Sequence, residues 1–172
     1  MRETCAPDMR PNLALLGPDG ALLDLVDLPG LAQNSIRHLA LAGDAVAFAM
    51  QWEGDPAEPV PQLGLWTPGR PPRLFDPGPE DIFTMQGYAG SVAATASRVA
   101  VTSPKGGAVM IFAVDGTPVA THRRADLCGA AAFGDSFLLT DGLGALWQAD
   151  ETALAPLASG PTKWDNHLVA LD

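Results

Sequence analysis

The sequence predicts an all-β fold, a β-propeller-like array of about four four-stranded blades. Three observations carry that expectation. Gly and Pro number 18 and 16 in 172 residues and lie scattered between short apolar runs, the punctuation of many strands joined by tight turns. Helical periodicity is nearly absent: only "GLAQNSIRHLA" fits it, and its second half reads better as a strand. The turns also recur in register, at close to the length of a propeller blade. A generic β-sandwich is the alternative architecture.

Residues 1–11 read as a flexible polar tail. Residues 12–28 form a strand, a turn at Asp19-Gly20 and a second strand, which is half a blade. The same hairpin returns in "LGLWTPGRPPRLFD", "VMIFAVDGTPVATHR" and "GALWQADETALAPLA", turning at Pro68-Gly69, Asp115-Gly116 and Asp150-Glu151. Successive turns are 49, 47 and 35 residues apart. Gly after Asp accepts positive φ at little cost, the usual chemistry of a two-residue hairpin. Each later hairpin is preceded by a short strand of small residues, a turn and a longer strand: "HLALAG-DAVAFAMQ", "SVAATAS-RVAVTS" and "GAAAFG-DSFLLT". The expected blades are therefore residues 35–79, 88–124 and 127–158, with strands A to D in order. Strand A is built of Ala, Gly and Ser, as suits strands that crowd a central axis. Strands B and C carry the bulk, including Phe48, Met50, Met110, Phe112, Phe137 and Trp147.

Residues 164–172, "WDNHLVALD", repeat the opening of strand A as seen in "SIRHLALAG". They are expected to be a lone closing strand that pairs with the half blade at 12–28. The pairing could form within the molecule or in a two-fold dimer, and the dimer is the favoured expectation because it strains blade geometry less.

Composition bounds the rest. Hydrophobic residues are 47% and charged residues 17%, a chain able to bury a real core. A net charge of −10 argues against nucleic acid and against anionic membrane surfaces as partners. No apolar run reaches the ~18–20 residues of a membrane-inserted helix. The N-terminus "MRETCAPDMRPN" has no apolar core for a signal peptide, so the chain as written is expected to stay in the cytoplasm. Two cysteines, Cys5 and Cys128, are too few for a disulfide scaffold or a zinc ribbon.

The segments "MRPNLALL", "SIRHLA", "QWEGDP", "GYAGSVA", "TSPKGG", "LCG" and "WDNHL" resemble a bacterial family of unknown function. Its members are exported seven-bladed propellers, typically with a twin-arginine signal and often encoded beside imelysin-like iron-uptake proteins. The resemblance runs from Met9 to the end and matches the C-terminal half of such a protein. It implies a periplasmic location and a link to iron or metal uptake, and it carries no established reaction.

Propeller geometry puts D-to-A and B-to-C connections on one face. That face should gather Arg37, His38, Gln51, Glu53, Lys105, Asp165, Asn166 and His167 at the mouth of the axis, and these are the candidate ligand-binding residues. Ser35, Trp52, Ser91, Ser103, Cys128, Asp141 and Trp164 fall on the same face. His38 and His167 occupy equivalent positions and are candidate metal ligands, although no HxH, HExxH or CxxC spacing supports them. Arg37 and Lys105 suit a carboxylate or phosphate, or else ion pairs with Glu53 or Asp165. His122, Arg123 and Arg124 read as an exposed outer edge. No catalytic residue is assigned: the chain has no G-x-S-x-G, P-loop or G-x-G-x-x-G pattern. The favoured function is a non-catalytic binding or assembly module. Its partner would be a small molecule, a metal or a protein, and no cofactor can be named. The alternative is a metal- or cofactor-dependent enzyme with its site at the channel mouth.

Overall fold

The computed structural model describes residues 10–28 and 30–170; the expected tail, apart from its last two residues, and the last two residues of the chain lie outside them. The described residues contain no helix. Fourteen strands form one two-stranded and three four-stranded antiparallel sheets. The hairpin is β1 (Asn12–Leu16) and β2 (Leu22–Asp27). The first blade is β3 (Asn34–Ala42), β4 (Ala45–Trp52), β5 (Leu63–Trp66) and β6 (Arg73–Leu74). The second is β7 (Ser91–Ala94), β8 (Arg98–Ser103), β9 (Ala108–Ala113) and β10 (Pro118–Arg123). The third is β11 (Leu127–Phe133), β12 (Ser136–Asp141), β13 (Ala145–Ala149) and β14 (Leu154–Ser159). Each blade is a meander in chain order.

The inner strands explain the blade order. β7 packs between β3 and β11, and small residues make that approach possible: Ala89, Ala93, Ala130 and Ala131 are all buried. The bulk sits between adjacent sheets, in three separate cores. Leu13, Leu28, Phe48, Met50 and Trp66 join the hairpin to the first blade. Phe75, Met85, Val99, Val101, Met110 and Phe112 join the first to the second. Leu127, Phe137 and Leu139 meet Val109 and Ile111 between the second and third. Phe48 can lie across β5 only because Gly64 has no side chain, since a Cβ there would come within 2.3 Å of its ring.

The segment at 164–170 differs from expectation. It forms no strand and pairs with neither β1 nor β2. His167 has a left-handed backbone (φ 79°), which interrupts the conformation a ladder needs. The segment instead crosses the inner strands through side-chain contacts. The His167 ring rests 4.8 Å from that of His38 on β3. Asn166 covers Gly90, just before β7, and Leu168 lies against Gly129 of β11. Beyond Leu168 it runs over the third blade, enclosing an apolar groove of about 460 Å3 with Leu138, Leu146 and Trp164 in its walls.

β10 is the outer edge strand of its sheet and Arg123 on it is exposed, as expected, but the cluster at 122–124 is not a row of free charges. These residues tie blades together. The His122 ring meets the Asp150 carbonyl at 2.7 Å. Arg123 donates to Asp81 and Thr84, and Arg124 donates to Asp141 at 3.0 Å. Asp141 is fully buried and also accepts from the Leu143 and Ala145 amides and the Trp147 indole. Burial alone would push its carboxyl up, but those four donors outweigh it and hold the group below its ordinary value.

Two predictions follow from this packing. Gly20 and Gly116 both have positive φ, 81° and 90°. A Cβ at Gly20 meets open space, whereas one at Gly116 would come 3.1 Å from the Phe75 ring. Chemical denaturation should show Gly20→Val costing about 1 kcal/mol from backbone strain alone and Gly116→Val costing clearly more. Asp141→Ala strands four donors, and the same measurement should show a loss of about 3 kcal/mol. Because the folded-state value of Asp141 is depressed, its contribution is present above the ordinary carboxylate range and disappears as the pH falls through the folded value. The gap between wild type and Asp141→Ala should therefore narrow in acid.

Candidate functional site at the channel mouth

The mouth is built where strands A begin and strands B end. A backbone bridge joins Gln51 to Tyr88, and the Gln51 side-chain amide donates to the Ala89 carbonyl at 3.1 Å. The Trp52 amide donates to the Gly87 carbonyl, and the Gly142 amide to the Asp126 carbonyl. The first three contacts clamp the end of β4 to the segment that opens the second blade, and the last ties the end of β12 to the start of its own blade, on the same face. β3 and β11 carry irregularities at this end, between Ile36 and His38 and between Leu127 and Ala130. Such bulges re-aim side chains, and here they fall at Arg37 and at Cys128 and Gly129.

The predicted residues divide into two groups. Arg37, His38 and Glu53 lie around the first blade. The Arg37 guanidinium pairs with Glu53 at 3.7 Å, with both side chains about half exposed, a surface pair of small energetic weight. The partly buried His38 ring is pushed below its ordinary value by burial, then by the neighbouring His167 and by Arg37. Gln51 is used internally, as above. His38 and His167 meet, but two imidazoles are an incomplete metal site. Among the described residues no three His, Cys, Asp or Glu side chains cluster closely enough to hold an ion.

Lys105, Asp165 and Asn166 lie in a second group, around a cup of about 450 Å3. Lys105 and Pro104 come from the β8–β9 turn, Tyr88 from the segment before β7, and Asp126 and Cys128 from the start of β11. Gly142 and residues 163–166 complete the wall. The Lys105 ammonium sits 5.9 Å from the Tyr88 ring centroid, a cation–π distance, and forms no ion pair with Glu53 or Asp165. The Asn166 amide donates to the Tyr88 hydroxyl at 3.4 Å, and its backbone N–H donates to Asp165 at 2.7 Å. The Asn166 side-chain oxygen is buried without a partner. Cys128 is buried and donates weakly to the Thr140 carbonyl at 3.4 Å. Burial, the first cause, and nearby acids push the thiol up, so it is a poor nucleophile.

Sequence reasoning missed Tyr88, Asp126 and Lys163. A signal was present: Lys105 and Lys163 are the only lysines of the chain and Tyr88 its only tyrosine. Asp126 has a left-handed backbone (φ 60°), a form of local strain that often accompanies function and that composition does not reveal.

The family described as "Protein of unknown function (DUF1513)" matches residues 2–171. The chain belongs to it. No curated protein matches. Among solved structures, "Structure of Dos1 propeller" aligns with a TM-score of 0.57 at 8% identity, covering 93% of this chain and 41% of that one. "Crystal structure of Nidogen/Laminin Complex" aligns with a TM-score of 0.55 at 13% identity, covering 88% of this chain and 59% of that one. The likeness is one of fold, and this DUF1513 chain spans about half the length of the propellers it matches.

The histidine contact generates a pH prediction. The folded-state value of His38 is depressed, so its neutral form is the one that fits. Its contribution is complete above the unfolded value of about 6.5 and is lost as the pH falls through the folded value. Melting temperatures recorded between pH 7.5 and 5 should fall more steeply for wild type than for His38→Gln.

Proposed function

We propose that the protein is a non-catalytic β-propeller module that binds a ligand at the mouth of its axis. The observation that supports this best is the cup of about 450 Å3, within the ~300–1,000 Å3 range of ligand sites, in which charged and aromatic side chains from four separate segments converge. The resemblance to exported proteins encoded beside imelysin-like iron-uptake proteins supports a periplasmic setting and a ligand tied to iron or metal uptake. The test is thermal-shift screening of the purified chain against small carboxylates, amino acids, sugars and ferric citrate. At least one compound should raise the melting temperature, and Lys105→Gln should abolish the shift while Arg70→Gln, in the β5–β6 turn of the opposite face, leaves it intact. A shift insensitive to Lys105 and Asn166 replacement overturns the mouth as the seat.

The His38–His167 contact favours a second reading, a metal-dependent enzyme whose remaining ligands come from substrate or from residues outside those described. Stoichiometric zinc or copper retained through desalting, and lost in His38→Ala and His167→Ala, would select it.

We also propose that the working form is a two-fold dimer. Leu16, Leu22, Leu23 and Leu25 of the hairpin are exposed at one end of the arc, and Phe133, Leu157 and Val169 at the other. β1 and β2 have no inner strands beside them, and Leu41 of the neighbouring β3 is 77% exposed. Apolar faces of this kind invite cover, and a second copy brings the matching end to each. Light scattering at micromolar concentration should give twice the chain mass, reduced to a monomer by Leu16→Ser with Leu23→Ser. A monomeric wild-type chain overturns the dimer.

A further inference from the structure

Taking the mouth cup as the ligand seat, we propose that it recognises a small zwitterion: a molecule with one carboxylate, one ammonium group and an apolar body, such as a free amino acid or short peptide. The charges point this way. Ten basic residues face twenty acidic ones, and the ion pairs of the described residues all use arginine: Arg37–Glu53, Arg98–Glu151, Arg123–Asp81 and Arg124–Asp141. Both lysines of the chain line the cup, with Asp126 and Asp165 beside them. Among the described residues none of these four side chains is ion-paired with another. Two cations and two anions around one concavity without neutralising each other are a surface for a ligand that brings both charges.

Neither charge alone suits it. A simple anion meets Asp126 and Asp165, and a simple cation meets Lys105 and Lys163, so each pays like-charge repulsion that a zwitterion avoids. The cup is also built. Asp126 lies directly over Gly142, where any side chain would collide with its carboxylate, and its backbone is held at φ 60°. The Lys105 ammonium stands 5.9 Å from the Tyr88 ring centroid. Trp164, 44% exposed, borders the cup and supplies apolar surface beside the charges.

The test uses the whole chain and three probes by calorimetric titration: phenylalanine, N-acetylphenylalanine and phenylalaninamide. Phenylalanine should bind saturably, with each blocked form at least about tenfold weaker. Lys105→Gln with Lys163→Gln should weaken phenylalanine and the acetyl form and, by removing the like charges, tighten the amide. Asp126→Asn with Asp165→Asn should do the reverse; unchanged melting profiles confirm folding. N-acetylphenylalanine binding as tightly as phenylalanine overturns the zwitterion and leaves the mouth as a seat for anions. No saturable binding of any probe to millimolar concentration also overturns it, while the thermal-shift screen decides independently whether the mouth binds anything.

Discussion

The structure depends on how closely strands can approach one another at the axis. Sheets packed face to face stand about 10 Å apart, yet blades that radiate from an axis must come closer at their inner edges than at their outer ones. Alanine, glycine and serine on β3, β7 and β11 satisfy the narrow end of each wedge, and Phe48, Phe112 and Phe137 fill the wider part. The blade order, the three separate cores and the convergence of segment ends on one face all follow from that taper. Enlarging an inner residue would therefore disturb two interfaces at once.

The taper is also why the fold was legible. Side-chain size varies along each repeat in step with distance from the axis, and Asp-Gly and Pro-Gly pairs mark the tips where positive φ is needed. Both are local properties, so a single sequence displays them. The residues of 164–170 were harder to interpret. They share the apolar alternation of "HLALA" on β3, but a ladder requires a free partner edge as well as a pattern, and His167 leaves the extended conformation. Arg123 does lie on an outer edge strand, as its sequence suggests, but the partners of the two arginines were not legible: Asp141 of the next blade lies beneath Arg124, and the turns before β7 bring Asp81 to Arg123. The candidate site was legible as a face and not as a cup. Which strand ends meet follows from topology; that Tyr88, Asp126 and Lys163 share one hollow with Lys105 depends on the path of a segment without regular structure.

That path has its own physical logic. A segment that donates few backbone hydrogen bonds must be held by side chains, and this one touches the inner strand region of every complete blade through a ring, an amide and a leucine. Gly90 and Gly129 leave the room it needs. One short stretch thus both lines the polar cup, with residues 163–166, and roofs the apolar groove on the third blade, with Leu168 and Val169.

The distribution of lysine has a practical corollary. Because the only two side-chain amines of the chain border one hollow, reagents that acylate amines will modify that hollow ahead of the rest of the side-chain surface. Coupling the protein to a sensor chip through lysine would mask the cup, so null results on such a chip would reflect the attachment chemistry. With the more acidic α-amine blocked first, the same selectivity makes a fluorophore ester a reporter for that hollow.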